Sequence, residues 1–401
     1  MFSKWLRISL FNLMLVAFLG MILRYKILFS LPFLDQKHLL HAHSHFAFSG
    51  WVSQILMVLM VAALSRQKGA LVFAKYNWLL YANLISSFGM LIFFTLQGYS
   101  LLSIIFSTLS IITSWLFAYI YWKDLNQLPV KTIAHCWLKA ALVFNALSAM
   151  GAFSLAFMMA NKMTSQNWYL LSVYFFLHFQ YNGWFLFACM GLLMDKIQGV
   201  FPDQRLMKQI FRLFLWACAP AYFLSALWLN LPVWLYVLVV AAALGQVYAW
   251  VKMLQQLWIK RMTLKTLLGP ITKFLLLLSA VAFTVKLSLQ LGSTIPSLSQ
   301  LAFGFRPIVI GYLHLILLGV ITLFLLGFIF SEKPAFQGKK IRLAVGIFTT
   351  GVILNELLLM IQGVAAMSYI LVPGINELLL LTAIVLFSGM LLLNFCVRCI
   401  K

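Results

Sequence analysis

Three of the seven histidines in this 401-residue chain share one local pattern, His45-FAFS-Gly50, His178-FQYN-Gly183 and His314-LILL-Gly319. Each is a histidine followed five residues later by glycine. Random placement of 7 His and 22 Gly gives about 0.4 such pairs (7 × 22 / 401), so three are not accidental. Imidazole is a ligand for metals and haem iron. A histidine in an apolar helix is better explained, taken singly, by a hydrogen bond to a neighbouring helix, but three in register point to metal ligation. In an α-helix the fifth neighbour lies about 140° around the axis, so the glycines read as close helix contacts and not as floors beneath a ligand.

The elements that carry these residues follow from composition. Hydrophobic residues make up 64% of the chain, charged residues 9%, and mean hydropathy is +1.01. That excludes a soluble globular protein. A spanning helix needs about 20 mostly apolar residues, and twelve such runs are predicted near 5–29, 40–64, 76–98, 100–122, 135–160, 168–194, 207–228, 232–256, 266–290, 307–330, 341–363 and 374–397. The first run is too long for a cleavable signal and no small-residue cleavage site follows it. The three histidines fall on helices 2, 6 and 10, separated by 133 and 136 residues. The fold expected is therefore an all-α polytopic membrane protein, one membrane domain over 1–401, built as three pseudo-equivalent four-helix repeats at about 5–122, 135–256 and 266–397.

The 29 Lys and Arg against 7 Asp and Glu, a net +22, reflect topology and not a nucleic-acid partner. Twenty-three cations fall at the termini or toward the breaks after even-numbered helices; Arg24, Lys26, Lys37, Lys162, Lys286 and Arg306 fall toward the opposite face. Both termini are predicted to be cytoplasmic, in a multi-pass protein of a bacterial inner membrane with the lipid bilayer as its first partner. Five cysteines form no disulfide framework; Cys396 and Cys399 make a CxxC of little weight as a redox or metal motif. Of the acids, only Glu356 and Glu377 enter helices, and Lys286 is the intramembrane cation available to them. A structural Lys286–Glu377 pair is expected, with a proton relay through Glu356 as the alternative.

Twelve helices in three sets of four, with histidines on helices 2, 6 and 10, resemble the catalytic subunit of the haem-copper oxidases. The segment His41-Ala-His43-Ser-His45-FAFSGW also resembles the His-rich second helix of the NnrS-like branch, membrane proteins that bind haem and copper and are linked to nitric oxide. The resemblance implies a b-type haem held between a helix 2 histidine, His45 or His43, and His314 of helix 10. The repeat register favours His45. Bis-imidazole ligation fills both axial positions and suits electron transfer. Arg306, eight residues before His314, is the candidate partner for a haem propionate, with a lipid headgroup as the other reading.

Two departures from the family pattern matter. Tyr312-Leu-His314 stands where the oxidases carry His-x-His, and helix 7 has no histidine to join His178 in a copper site. An oxygen-reducing centre is not expected. A reduced site for copper or a second haem would draw on His178, a spare helix 2 histidine and Tyr312, although a Tyr at the end of a span also serves as an interfacial anchor. His38 and His41 are expected to be polar residues at the mouth of helix 2, and His135 a surface residue. The function implied is electron transfer or binding of nitric oxide or another small gas, with chemistry, if any, that of an oxidoreductase. A secondary transporter and a divergent terminal oxidase are the alternatives. With no CxxCH motif in the chain, an electron donor or acceptor, and any partner membrane subunit, must be separate.

Overall fold

The computed structural model describes residues 1–201, 203–299, 305–333 and 338–398; Cys399 and Lys401 lie outside the described residues. The chain is helical, and no strand occurs among the described residues. The long helices are α1 Phe2–Leu28, α2 Gln36–Lys68, α3 Val72–Gln97, α4 Leu101–Asn126, α5 Ile133–Ala160, α6 166–197, α7 Arg205–Cys218, α8 Val233–Ile259, α9 Pro270–Gly292, α10 Arg306–Glu332, α11 Lys339–Met367 and α12 Ile375–Arg398. Among the described residues ten of these are long and apolar enough to cross a membrane; α6 and α7 are not. In α6 the polar run through Gln180, Tyr181 and Asn182 dilutes the apolar character. In α7 the α-helix ends at Cys218, and Pro220 opens a tighter 3-10 turn to Ala226.

Ends are set by local chemistry. Asp35 caps α2, its carboxylate accepting from the His38 N–H at 2.8 Å. Gly98, at φ +62°, closes α3 in a conformation that side chains rarely adopt, and the His38 ring packs where a Cβ would stand. Outward faces are apolar: on α8, Val237, Leu244, Val251 and Trp258 are exposed at seven-residue steps, the stripe of a helix facing lipid.

The chain divides into two compact units. The first comprises 1–119, 270–276 and 322–401. In it α1 packs on α12, with the Asn394 amide donating to the Leu10 carbonyl at 3.1 Å and Phe18 against Phe387. Helices α11 and α12 approach at Gly351 and Gly389, where a Cβ would meet Leu386 or the Phe348 backbone. The second unit comprises 120–269 and 277–321. Its α5 and α6 meet at Gly151, Gly183 and Gly191, and the Trp250 indole of α8 donates to Thr284 of α9 at 2.9 Å.

Three helices differ from the others in two respects. Residues 54–64 of α2, 178–192 of α6 and 319–330 of α10 are continuously buried. The same three helices, and no others among the described residues, contain π-helical stretches: Ala47–Ser53, Phe179–Phe185 and Leu315–Thr322.

Candidate functional site

The π-helical stretches begin two residues after His45 and one residue after His178 and His314, and each contains the glycine of its pattern. Such i→i+5 turns are rare and concentrate at functional sites. The wider turn appears directly in backbone bonds from the Gln54 N–H to the Ser49 carbonyl and from the Leu186 N–H to the Tyr181 carbonyl. The 140° offset of a regular α-helix therefore does not hold across these turns. An i→i+5 turn brings the fifth residue back under the first, so the glycine belongs to the same local turn as its histidine. Close contact is still its packing role: a Cβ at Gly183 would stand 2.5 Å from the Phe144 Cβ, and one at Gly319 3.1 Å from the Ala282 Cβ.

Opening the helical turn releases carbonyl oxygens that apolar surroundings cannot satisfy. A side chain from a neighbouring helix meets them in each case. In α2, Asn12 of α1 donates to the Gly50 carbonyl at 2.6 Å, and Asn83 of α3 to Ser49 at 3.1 Å. In α6, the Cys218 thiol lies 3.9 Å from the Asn182 carbonyl. In α10, Ser279 of α9 donates to the Val320 carbonyl at 2.7 Å. None of Asn12, Asn83, Cys218 or Ser279 was singled out as a partner from the sequence. Isolated polar residues inside apolar runs were the signal available for them.

In the first unit the α2 histidines separate onto two sides. His45 stacks on Phe94 of α3, centroids 4.3 Å apart, with its Nε2 3.3 Å from the Tyr99 hydroxyl. His41 meets Tyr99 edge-on at 4.7 Å. His43 instead faces α1, where its Cε1 lies 3.4 Å from the position of a Cβ on Gly20. His41, near the start of α2, shares the His45 face one turn away, as its spacing predicts. Trp51 donates to Thr322 at 3.0 Å, joining the ends of the first and third π-helical stretches.

In the second unit His178 is 1% exposed, and both ring nitrogens are engaged. Its Nε2 donates to the Cys218 carbonyl at 2.8 Å, and its Nδ1 accepts from the Asn182 amide at 3.1 Å. A metal would have to displace one of these. Around it lie Tyr181 and the ring of Tyr222, whose hydroxyl donates to the Leu171 carbonyl at 3.0 Å. Lys286 of α9 is buried beside Phe283, 5.5 Å from the ring centroid. Glu377 is exposed in the first turn of α12, where an acid complements the helix N-terminus, so the pairing expected of Lys286 and Glu377 gives way to separate environments.

His314 donates from Nδ1 to the Ile310 carbonyl at 2.8 Å, which puts the imidazole lone pair on Nε2. Tyr312 is half-buried in the same turn, and Arg306 is exposed at the start of α10, followed by Pro307. Glu356 is half-buried and accepts from the Asn355 amide at 3.1 Å. His135 is not a surface residue: it is 4% exposed at the start of α5, and its Nδ1 accepts from the Thr132 N–H at 3.2 Å. Among the described residues no three His, Cys, Asp or Glu side chains converge as a metal cluster.

Helical architecture and apolar faces define the class, a polytopic α-helical membrane protein in contact with the lipid bilayer. No family model and no curated protein matches this chain.

Proposed function

We propose that the chain is a haem-binding protein of a bacterial inner membrane, with twelve spans in three four-helix repeats, both termini cytoplasmic, serving electron transfer or the binding of a small gas such as nitric oxide. The observation that carries this reading is the coincidence at three places of a histidine, a π-helical turn and the most buried stretch of a helix. A repeated departure from α-geometry beside an ionisable residue is a functional signature, because packing alone favours the regular helix.

The residues fit a haem better than a copper cluster. His314 has its tautomer set by the Ile310 carbonyl with Nε2 as the ligating atom, the usual arrangement of a ligand histidine. The resemblance to the haem-copper oxidases adds His45 or His43 of α2 as a ligand and Arg306, at the start of α10, as the candidate for a propionate. His178 is occupied in joining α6 to α7, and no three-ligand cluster is present among the described residues for copper. A haem with two imidazole ligands transfers electrons, and one with a single imidazole leaves a position for a small gas. The electron partner is a separate protein or small molecule.

The test is the absorption spectrum of protein purified after expression with haem. A Soret band is expected in the wild type and is expected to be lost in His314→Ala. His45→Ala and His43→Ala then decide which α2 histidine takes part. Wild-type protein with no Soret band rejects the proposal.

A further inference from the structure

We infer that Lys286 holds a small monovalent inorganic anion in the interior of the second unit. Lys286 is 2% exposed on α9, closed off from solvent. The acids of its unit are Asp124, Asp195 and Asp203, near the end of α4, near the end of α6 and just before α7. None neighbours the lysine; its electrostatic neighbours are Cys218 and His178. Cys218 is a buried thiol, and His178 has its two ring nitrogens committed to the Cys218 carbonyl and the Asn182 amide. Among the described residues no hydrogen bond or carboxylate therefore balances the ammonium group. A buried charge of this kind is retained in proteins when a counter-charge completes it.

Space for that counter-charge adjoins the side chain. Lys286 lines a small cavity with Tyr181, Asn182, Phe283, Ile316 and Val320, with room for a guest of about the size of one water. The Asn182 amide uses one N–H on His178 and has a second to offer. One lysine matches one negative charge, and the size of the cavity favours a halide over sulfate or phosphate. A neutral gas has no need of the lysine. The inference rests on residues distinct from the proposed haem ligands.

The test uses the full-length protein in detergent, prepared without added haem, so that the outcome does not depend on the Soret band. Its thermal midpoint is followed while bromide replaces gluconate at constant ionic strength. A saturable rise of a few degrees is expected, because a ligand that binds the folded state stabilises it by mass action. Lys286→Met is expected to lose that dependence. Equal midpoints in bromide and gluconate, or an unchanged bromide response in Lys286→Met, overturn the inference. Should Lys286→Met fail to fold, wild-type crystals grown in bromide decide: an anomalous peak beside the Lys286 Nζ is expected, and its absence overturns the inference.

Discussion

The Nε2 of His178 donates to the carbonyl oxygen of Cys218 at 2.8 Å, and the same ring accepts from Asn182 at 3.1 Å. The carbonyl is available because α7 leaves α-geometry at this point and tightens at Pro220. His178 thus joins the bulged turn of α6 to the break in α7. Replacing it with Ala removes a buried ring and strands two polar groups, at a cost of about 2–4 kcal/mol. Thermal unfolding in detergent should show that loss, while the haem absorption expected of His314 persists.

Asn12→Leu probes the bulge in α2 from the other side of the contact. The Gly50 carbonyl loses its 2.6 Å donor in a buried setting, which should cost about 1–3 kcal/mol. Amide exchange across 47–53 should accelerate more than in the rest of α2.

The three pattern glycines should not respond equally to alanine. At Gly183 the added Cβ meets the Phe144 Cβ at 2.5 Å, close to the α5 backbone, so two helices must separate, at about 1–3 kcal/mol. At Gly50 it meets the Phe46 ring at 2.6 Å, and the ring can turn aside. At Gly319 the contact is the Ala282 Cβ at 3.1 Å, which asks for only a small shift. Thermal midpoints should fall in the order Gly183→Ala below Gly50→Ala below Gly319→Ala.

Asp35 makes an acid-sensitive cap. Its bond from the His38 N–H holds the carboxyl below the usual range, so the charged form is favoured in the folded state. The contribution is complete above the unfolded carboxyl value of about 3.9 and is lost as pH falls through the lower folded value. Protection factors of the amides in the first turn of α2, taken relative to the intrinsic rate at each pH, should therefore fall on acidification in the wild type. Asp35→Asn should remove that acid step, because the amide side chain caps without titrating.

Much of the architecture was legible because hydropathy and charge are properties of consecutive residues. Ten of the expected spans are apolar helices, with bounds a few residues from those read off the runs. The two that fall short, α6 and α7, contain residues that serve the interior: Gln180, Tyr181 and Asn182 in one, and the break at Pro220 in the other. A hydropathy average cannot tell a polar residue that weakens a span from one that is bonded inside it.

The site was legible in part. Spacing alone marked His45, His178 and His314 as equivalent, and each adjoins a π-helical turn. Spacing could not reveal the turn itself, since a π-bulge is stabilised by donors from other helices, here Asn12, Asn83, Cys218 and Ser279. His135 shows the same limit: its position near a basic break suggested exposure, whereas its bond to the Thr132 N–H buries it.

By itself the sequence determined that the chain is a membrane protein of long apolar helices with three histidines in register, because apolar length and residue spacing are local quantities. Tertiary structure alone decided what each histidine does. His178 is bound at both nitrogens and His314 is held in one tautomer, because hydrogen-bond partners depend on ring rotation and on which backbone carbonyls lie in reach, whereas the opposite directions of His45 and His43 follow already from their two-residue spacing on a regular helix.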